Sequence, residues 1–246
     1  MRKTGVFLSL LVCIPVLAHA GPPMLTGDPG TPGDRKWEIN IAATLEKRRS
    51  ESRWEAPVLD LNYGLGEHIQ LSYEVPWIVF SPSGEGTKSG LGNSNIGVKW
   101  RFLDEEKDGI SMSTKAEFEF NPPTSSADRG LVDDGTVFRL PVELEKKLGP
   151  VTAGLEFGRA FKQKQSDAWI YGFLLGHKVT EQLELLGEIH GTDKPNFRKH
   201  ETVFNLGAVY NLGKNYSALL SAGRSFQDAA SDAPTLLLYF GMQLRL

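Results

Sequence analysis

The sequence predicts an all-β fold: a transmembrane, antiparallel, up-and-down β-barrel of about 12 strands. Three observations predict it. From Trp37 onward, apolar residues recur at every second position in segment after segment, the period of a strand with one oily face and one wetter face. The connections between segments alternate between short turns and longer polar loops, as in outer-membrane barrels. The last segment, Pro234 to Leu246, keeps an oily row of Leu236, Leu238, Phe240, Met242, Leu244 and Leu246 to the final residue.

Taken in order, the chain begins as a secretory signal. Arg2 and Lys3 give a basic start and Val6 to Leu17 an apolar core. Ala18-His19-Ala20 then gives a small-x-small cleavage site, placing cleavage between Ala20 and Gly21. A retained anchor is the alternative, although the apolar run is short for a helical span. Cleavage leaves 226 of the 246 residues and removes Cys13, the one cysteine, so disulfide and thiol chemistry are excluded. It also leaves 25 basic residues against 30 acidic ones, a net charge of −5, which does not suit a nucleic-acid partner. The expected organisation is residues 1–20 as signal, 21–35 as a Gly/Pro-rich leader or plug, and 36–246 as barrel. The leader, GPPMLTGDPGTPGDR, is too rich in Gly and Pro for regular structure. It either enters the lumen or hangs loosely in the periplasm; prolines reduce the entropy lost on docking.

Twelve alternating segments follow. Their oily rows begin with Trp37-Ile39-Ile41, Leu59-Leu61-Tyr63, Ile69-Leu71-Tyr73 and Ile96-Val98-Trp100. Next come Ala116-Phe118-Phe120, Phe138-Leu140-Val142, Ala153-Leu155-Phe157 and Tyr171-Phe173-Leu175. The series ends with Leu183-Leu185-Ile189, Phe204-Leu206-Ala208, Ala218-Leu220-Ala222 and the closing segment. Leu174 stands on the polar side of its segment and breaks the pattern. Short connections fall at 64–66, 104–108, 147–150, 179–180 and 213–214. Longer ones are expected at 47–52, 78–91, 121–135, 162–166, 191–200 and 227–233. An even strand count then places every short turn and the C-terminus in the periplasm.

Aromatic residues fall near both ends of the segments, including Trp37, Tyr63, Trp100 and Tyr210 at one end and Trp77, Phe138, Trp169 and Phe204 at the other. Amphipathic rings favour membrane interfaces, whereas a soluble sandwich would gather its aromatics mid-strand in the core.

The inward rows are charged. Glu38, Asp60, Glu74, Glu117, Glu119, Glu143, Glu156, Glu184 and Glu188 supply negative charge, and Lys99, Arg101, Lys115 and Arg139 positive charge. Buried charges must be paired or wet. Lys99, Arg101, Lys115, Glu117, Arg139 and Glu143 are the candidate lumen-lining residues. They either staple the wall, for example Arg101 with Glu117, or set a transverse field across a narrow pore. The closing spacing Tyr239-x-Gly241-x-x-Leu244-x-Leu246 is similar to the C-terminal signal read by the barrel-assembly machinery, with Leu246 where an aromatic residue is commonest. Lys47, Arg48, Arg49, Arg53, Arg198 and Lys199 are expected in loops, either as ordinary solvated charge or against lipopolysaccharide phosphates.

The residues Pro22-Pro23, Thr26, Asp28-Pro29-Gly30-Thr31, Gly33, Trp37-Glu38 and Asn40, with Leu91-Gly92-Asn93 and Lys99-Trp100-Arg101-Phe102, carry a resemblance. On them the chain resembles the family described as "putative MetA-pathway of phenol degradation". The resemblance implies an exported barrel of the bacterial outer membrane that passes small molecules, aromatic or hydrophobic ones among them. It supplies no catalytic residues.

Catalysis is weighed because barrels of this size include a phospholipase with a Ser-His-Asn triad. A nucleophile needs a base within hydrogen-bond reach. His190-Gly191-Thr192 has the spacing but offers Thr, and Ser72 lies some 13 Å from His68 along a strand at roughly 3.3 Å per residue. No metal-ligand spacing, P-loop or dinucleotide fingerprint is present in the sequence, so no cofactor and no enzyme activity are expected. The expected function is passive passage of small solutes through the outer membrane. The expected partners are outer-membrane lipid, lipopolysaccharide, the assembly machinery and an unidentified solute. The alternative is a non-conducting barrel with a structural, adhesive or lipid-modifying role.

Overall fold

The computed structural model describes residues 21–124, 126–193, 200–227 and 233–246. The expected signal segment, including Ala20, and the loop residues Arg198 and Lys199 lie outside these ranges. In chain order the elements are β1 (Trp37–Lys47), β2 (Glu51–Leu65), β3 (Ile69–Pro82), β4 (Lys88–Leu91), β5 (Ser94–Leu103), α1 (Glu105–Asp108), β6 (Ser111–Phe120) and β7 (Val137–Leu148). They continue with β8 (Val151–Lys162), β9 (Ala168–Lys178), β10 (Leu183–Asp193), β11 (His200–Asn211), β12 (Tyr216–Ser225) and β13 (Leu236–Arg245).

Twelve of these strands pair antiparallel with their neighbours in one closed ring, and β4 pairs outside the ring on β3. Closure is made by β1 on β13: Trp37 N–H donates to Leu246 O and Leu246 N–H to Trp37 O, both at 2.9 Å. A closed ring leaves no wall strand with unpaired backbone groups, which is what a lipid-facing sheet requires. The wall strands run from 10 to 15 residues, enough to cross a bilayer.

The oily rows face outward as the alternation predicts. Trp100, Leu155, Phe157, Leu206 and Phe240 are among the exposed large apolar side chains. Rings cluster at both rims: Trp37 on Tyr63 (4.8 Å) and Trp100 on Phe102 (5.5 Å) near the short turns, Phe157 on Trp169 (5.3 Å) and Phe204 on Phe226 (6.3 Å) near the long loops.

Three local expectations are corrected. The first hairpin is a tight turn at 48–50, because β1 and β2 stay paired out to Lys47 and Ser52. Within β2 a bulge between Glu55 and Val58 adds one residue and flips the alternation. Arg53, expected in the first loop, is therefore a strand residue on the lumen side, 5.2 Å above the Phe80 ring. The expected 78–91 loop is mostly strand: β3 runs on to Pro82 and β4 returns along it.

The long-loop end is knitted by side chains. Asn121 Nδ2 donates to Asn93 Oδ1 (2.7 Å), and Leu131 is buried against the β4 backbone near Gly90. Arg48, in the first turn, is bound to Glu46 and to Glu201 (2.9 Å). At the exposed rim the Lys164 ammonium beside Asp134 holds its carboxyl below the usual carboxylate range.

Candidate functional site

The ring encloses a cavity of about 1530 Å³. Its lining runs from Asp104, Lys214 and Leu246 at the short-turn end to Glu46, Arg53 and Thr192 near the long-loop end. Lys99, Arg101, Lys115, Glu117, Arg139 and Glu143 all line it. Carboxylates outnumber cationic side chains on this surface.

Register decides which charges meet. Lys99 stands directly across from Lys115 on β5 and β6, an unfavourable pairing unless each finds its own anion. Lys115 turns to Glu117 (2.6 Å). Arg139 bridges Glu117 (3.1 Å) and Glu119 (2.5 Å). Lys99, almost fully buried, lies 3.6 Å from Glu143 and 3.9 Å from Asp28. Arg101 does not meet Glu117: it is registered on Ser113, whereas Glu117 sits opposite Gly97, four residues up the strand. Arg101 instead reaches Asp104 (3.4 Å) and Glu67 O (2.9 Å) at the short-turn mouth.

The adjoining β2 and β3 stretch of the wall is acidic and amide-rich. Asp60 accepts from Asn40 (2.9 Å) and Asn62 (3.0 Å), and Glu74 accepts from Asn95 (3.1 Å). These carboxylates take amide donors, where Glu117, Glu119 and Glu143 on β6 and β7 are met by ammonium and guanidinium groups. The basic patch is thus largely neutralised, while Asp60 and Glu74 on the adjoining strands take amide donors.

The leader lies inside the ring. Arg35 N–H donates to Gly64 O (2.9 Å) at the mouth, and Thr31 Oγ1 donates to Glu67 O (2.8 Å). Higher up, Lys99 Nζ donates to Asp28 O. Glu188 accepts the main-chain N–H groups of Leu25 (2.9 Å) and Thr26 (2.8 Å), and Glu156 accepts that of Gly27 (3.0 Å). Ser221 Oγ donates to Pro23 O (2.7 Å). The Met24 side chain packs among Leu174, Leu186, Val209 and Leu219, with Tyr239 against the cluster.

Leu174, the residue that breaks the alternation of its segment, is fully buried here. Leu186, Val209 and Leu219 are likewise apolar residues on inward rows, a signal visible in the sequence as departures from period two. Glycines in the wall make room for the leader. A β-carbon on Gly172 would lie 2.6 Å from Thr26 Oγ1, and one on Gly207 would lie 2.5 Å from Met24 Sδ. Gly172→Val suits a strand and leaves the outer face of β9 untouched, but its methyls take the place of Thr26. Limited proteolysis of the folded variant is expected to trim the leader at least about tenfold faster than in the parent.

Of the C-terminal signal residues, Tyr239 faces the lumen and Leu246 pairs with Trp37. His190 Nε2 lies 3.6 Å from Glu156 on the cavity wall. Among the described residues no group of three His, Cys, Asp or Glu side chains is placed to hold a metal ion.

Solved structures share this architecture. The COG4313 outer membrane channel from Pseudomonas putida F1 superposes with a TM-score of 0.70 at 13% identity, over 93% of this chain and 100% of that one. The NanC porin gives 0.64 at 8% identity, over 85% and 100%. The KdgM porin in complex with disordered oligogalacturonate gives 0.60 at 10% identity, over 84% and 98%. At such identities the likeness is one of fold. No curated protein sequence matches the chain. The family model matches residues 26–244, nearly the whole barrel with most of the leader, so the chain belongs to the family described as "Putative MetA-pathway of phenol degradation".

Proposed function

We propose that this protein is a passive channel of the bacterial outer membrane for small solutes, aromatic or hydrophobic ones among them, and that the leader narrows its lumen. The observation that carries the reading is the charged cavity whose lining reaches from one end of the barrel to the other. A wall that only held itself together would match its charges pair by pair; the Asp60 and Glu74 side of the lumen, with its amide partners, is arranged for water and moving solute. The channel and porin barrels among the structural neighbours support the same reading. Membrane lipid and lipopolysaccharide around the girdles, and the assembly machinery at β13, are the partners that go with it. Catalysis has no support here, since His190 sits beside Glu156 on the same wall, with Gly172 between them, and its strand offers Thr192 rather than a serine.

Single-channel recording of the refolded protein in a planar bilayer tests the proposal. Discrete steps with a preference for cations are expected. Arg139→Gln leaves Glu117 with one cation and Glu119 with only Asn93, so the reversal potential in a salt gradient is expected to move further toward the cation limit. Silence from the intact and leader-deleted forms alike, with folding verified by heat-modifiable gel mobility, would refute the channel.

A further inference from the structure

The place where the leader docks is a binding site in its own right, and what fills it describes a ligand. Met24 fills an apolar pocket built from inward-facing leucines and a valine, in a lumen lined elsewhere by many charged and amide groups. Directly beside it stand two carboxylates. Glu188, 2% exposed, takes the N–H groups of Leu25 and Thr26, and Glu156 takes that of Gly27. Apart from the leader, Glu188 is met by Asn205 Nδ2 (2.6 Å), and Glu156 has His190 Nε2 at 3.6 Å. Without the leader these buried acids are short of donors, and a buried carboxylate without donors is costly.

Two buried acids that need N–H donors, next to an apolar pocket, suit a primary ammonium with a short apolar tail. We propose that this patch binds small primary amines whose tail is about as long as a methionine side chain, and that Met24 to Gly27 occupy it as an internal substitute. The ammonium, seated between the two carboxylates, offers them N–H donors in place of those main-chain groups, and its tail lies where the thioether lies. Binding therefore competes with docking of the leader, so that solute and leader exclude one another from the same wall. The inference deepens the channel reading by naming a solute class, and it rests on that reading only for how the amine arrives.

The test uses the intact protein in detergent micelles, labelled with [methyl-13C]methionine and titrated with n-butylamine and, in parallel, with n-butyrate. With butylamine the Met24 methyl resonance is expected to move saturably from its position beside Tyr239 to that of a solvent-exposed methionine. Met112 and Met242, which point away from the lumen, stay in place and report any general partitioning. Butyrate, a four-carbon chain with an anionic head, leaves Met24 where it is.

Met24→Ala removes the competing anchor without touching the wall. It is expected to tighten butylamine binding about tenfold in ligand-observed saturation-transfer spectra. The double substitution Glu156→Gln with Glu188→Gln is expected to abolish that binding. A Met24 methyl unmoved by butylamine, or moved equally by butyrate, overturns the proposal, and so does a Met24→Ala variant with unchanged affinity. None of these readouts needs conduction, so failure of the amine site and failure of the channel are distinguishable.

Discussion

Deleting residues 21–35 is expected to raise the single-channel conductance severalfold while the barrel remains heat-modifiable and resistant to protease. The leader touches the wall at the mouth through Arg35 and Thr31 and mid-lumen through Leu25, Thr26 and Gly27, so it crosses a large part of the lumen section. None of the ring's backbone pairing depends on it, since closure is between Trp37 and Leu246. Conductance scales with the open section and with the charge of its lining. The deletion also removes Asp28, leaving Lys99 with Glu143, so the cation preference is expected to weaken as the current grows. Equal conductance in the two forms would show that the leader does not limit the current.

Lys99→Met is expected to destabilise the protein by about 3 kcal/mol, since removing one member of a buried ion pair strands its partner. The partner is Glu143, 2% exposed, which would keep only the Ser113 Oγ hydrogen bond (2.5 Å). Asp28 loses its cation and its carbonyl loses a donor, so the leader should also loosen. Urea-dependent refolding into lipid, followed by tryptophan emission and gel mobility, measures the loss. Adding Glu143→Gln to Lys99→Met is expected to recover a substantial part of it, because the stranded charge is then gone. A change within about 0.5 kcal/mol for Lys99→Met, the range of ordinary surface substitutions, would show that the pair is effectively solvated.

The features legible in the sequence are those that period two reports. Ile96, Val98 and Trp100 announce which way β5 faces, and the girdle residues announce where strands end, because lipid sets both and acts on each strand separately. Partners across the lumen are a different matter. Nothing local in Arg101 says that it stops at Asp104, because that is a consequence of register, and register follows from turn geometry and from the irregularity between Arg101 and Leu103. The Glu55/Val58 bulge likewise puts Arg53 on the cavity wall instead of in a loop. The docking patch lay between these cases. Leu174 was visible as a fault in the alternation. Its meaning needed Leu186, Val209 and Leu219 from three other strands, together with Met24 from a segment that has no period at all.

The leader's contact with Glu188 spans 163 positions in the chain. Its receptor is assembled from the β8 to β13 side of the ring, with Lys99 added from β5. The first described residues to leave the ribosome therefore have nowhere to settle until the last strands are in place. Closing so long a loop early would be entropically unrewarded, because the contacts that offset it do not yet exist. A seated leader is thus a record of completed assembly, written by the oldest part of the chain about the youngest.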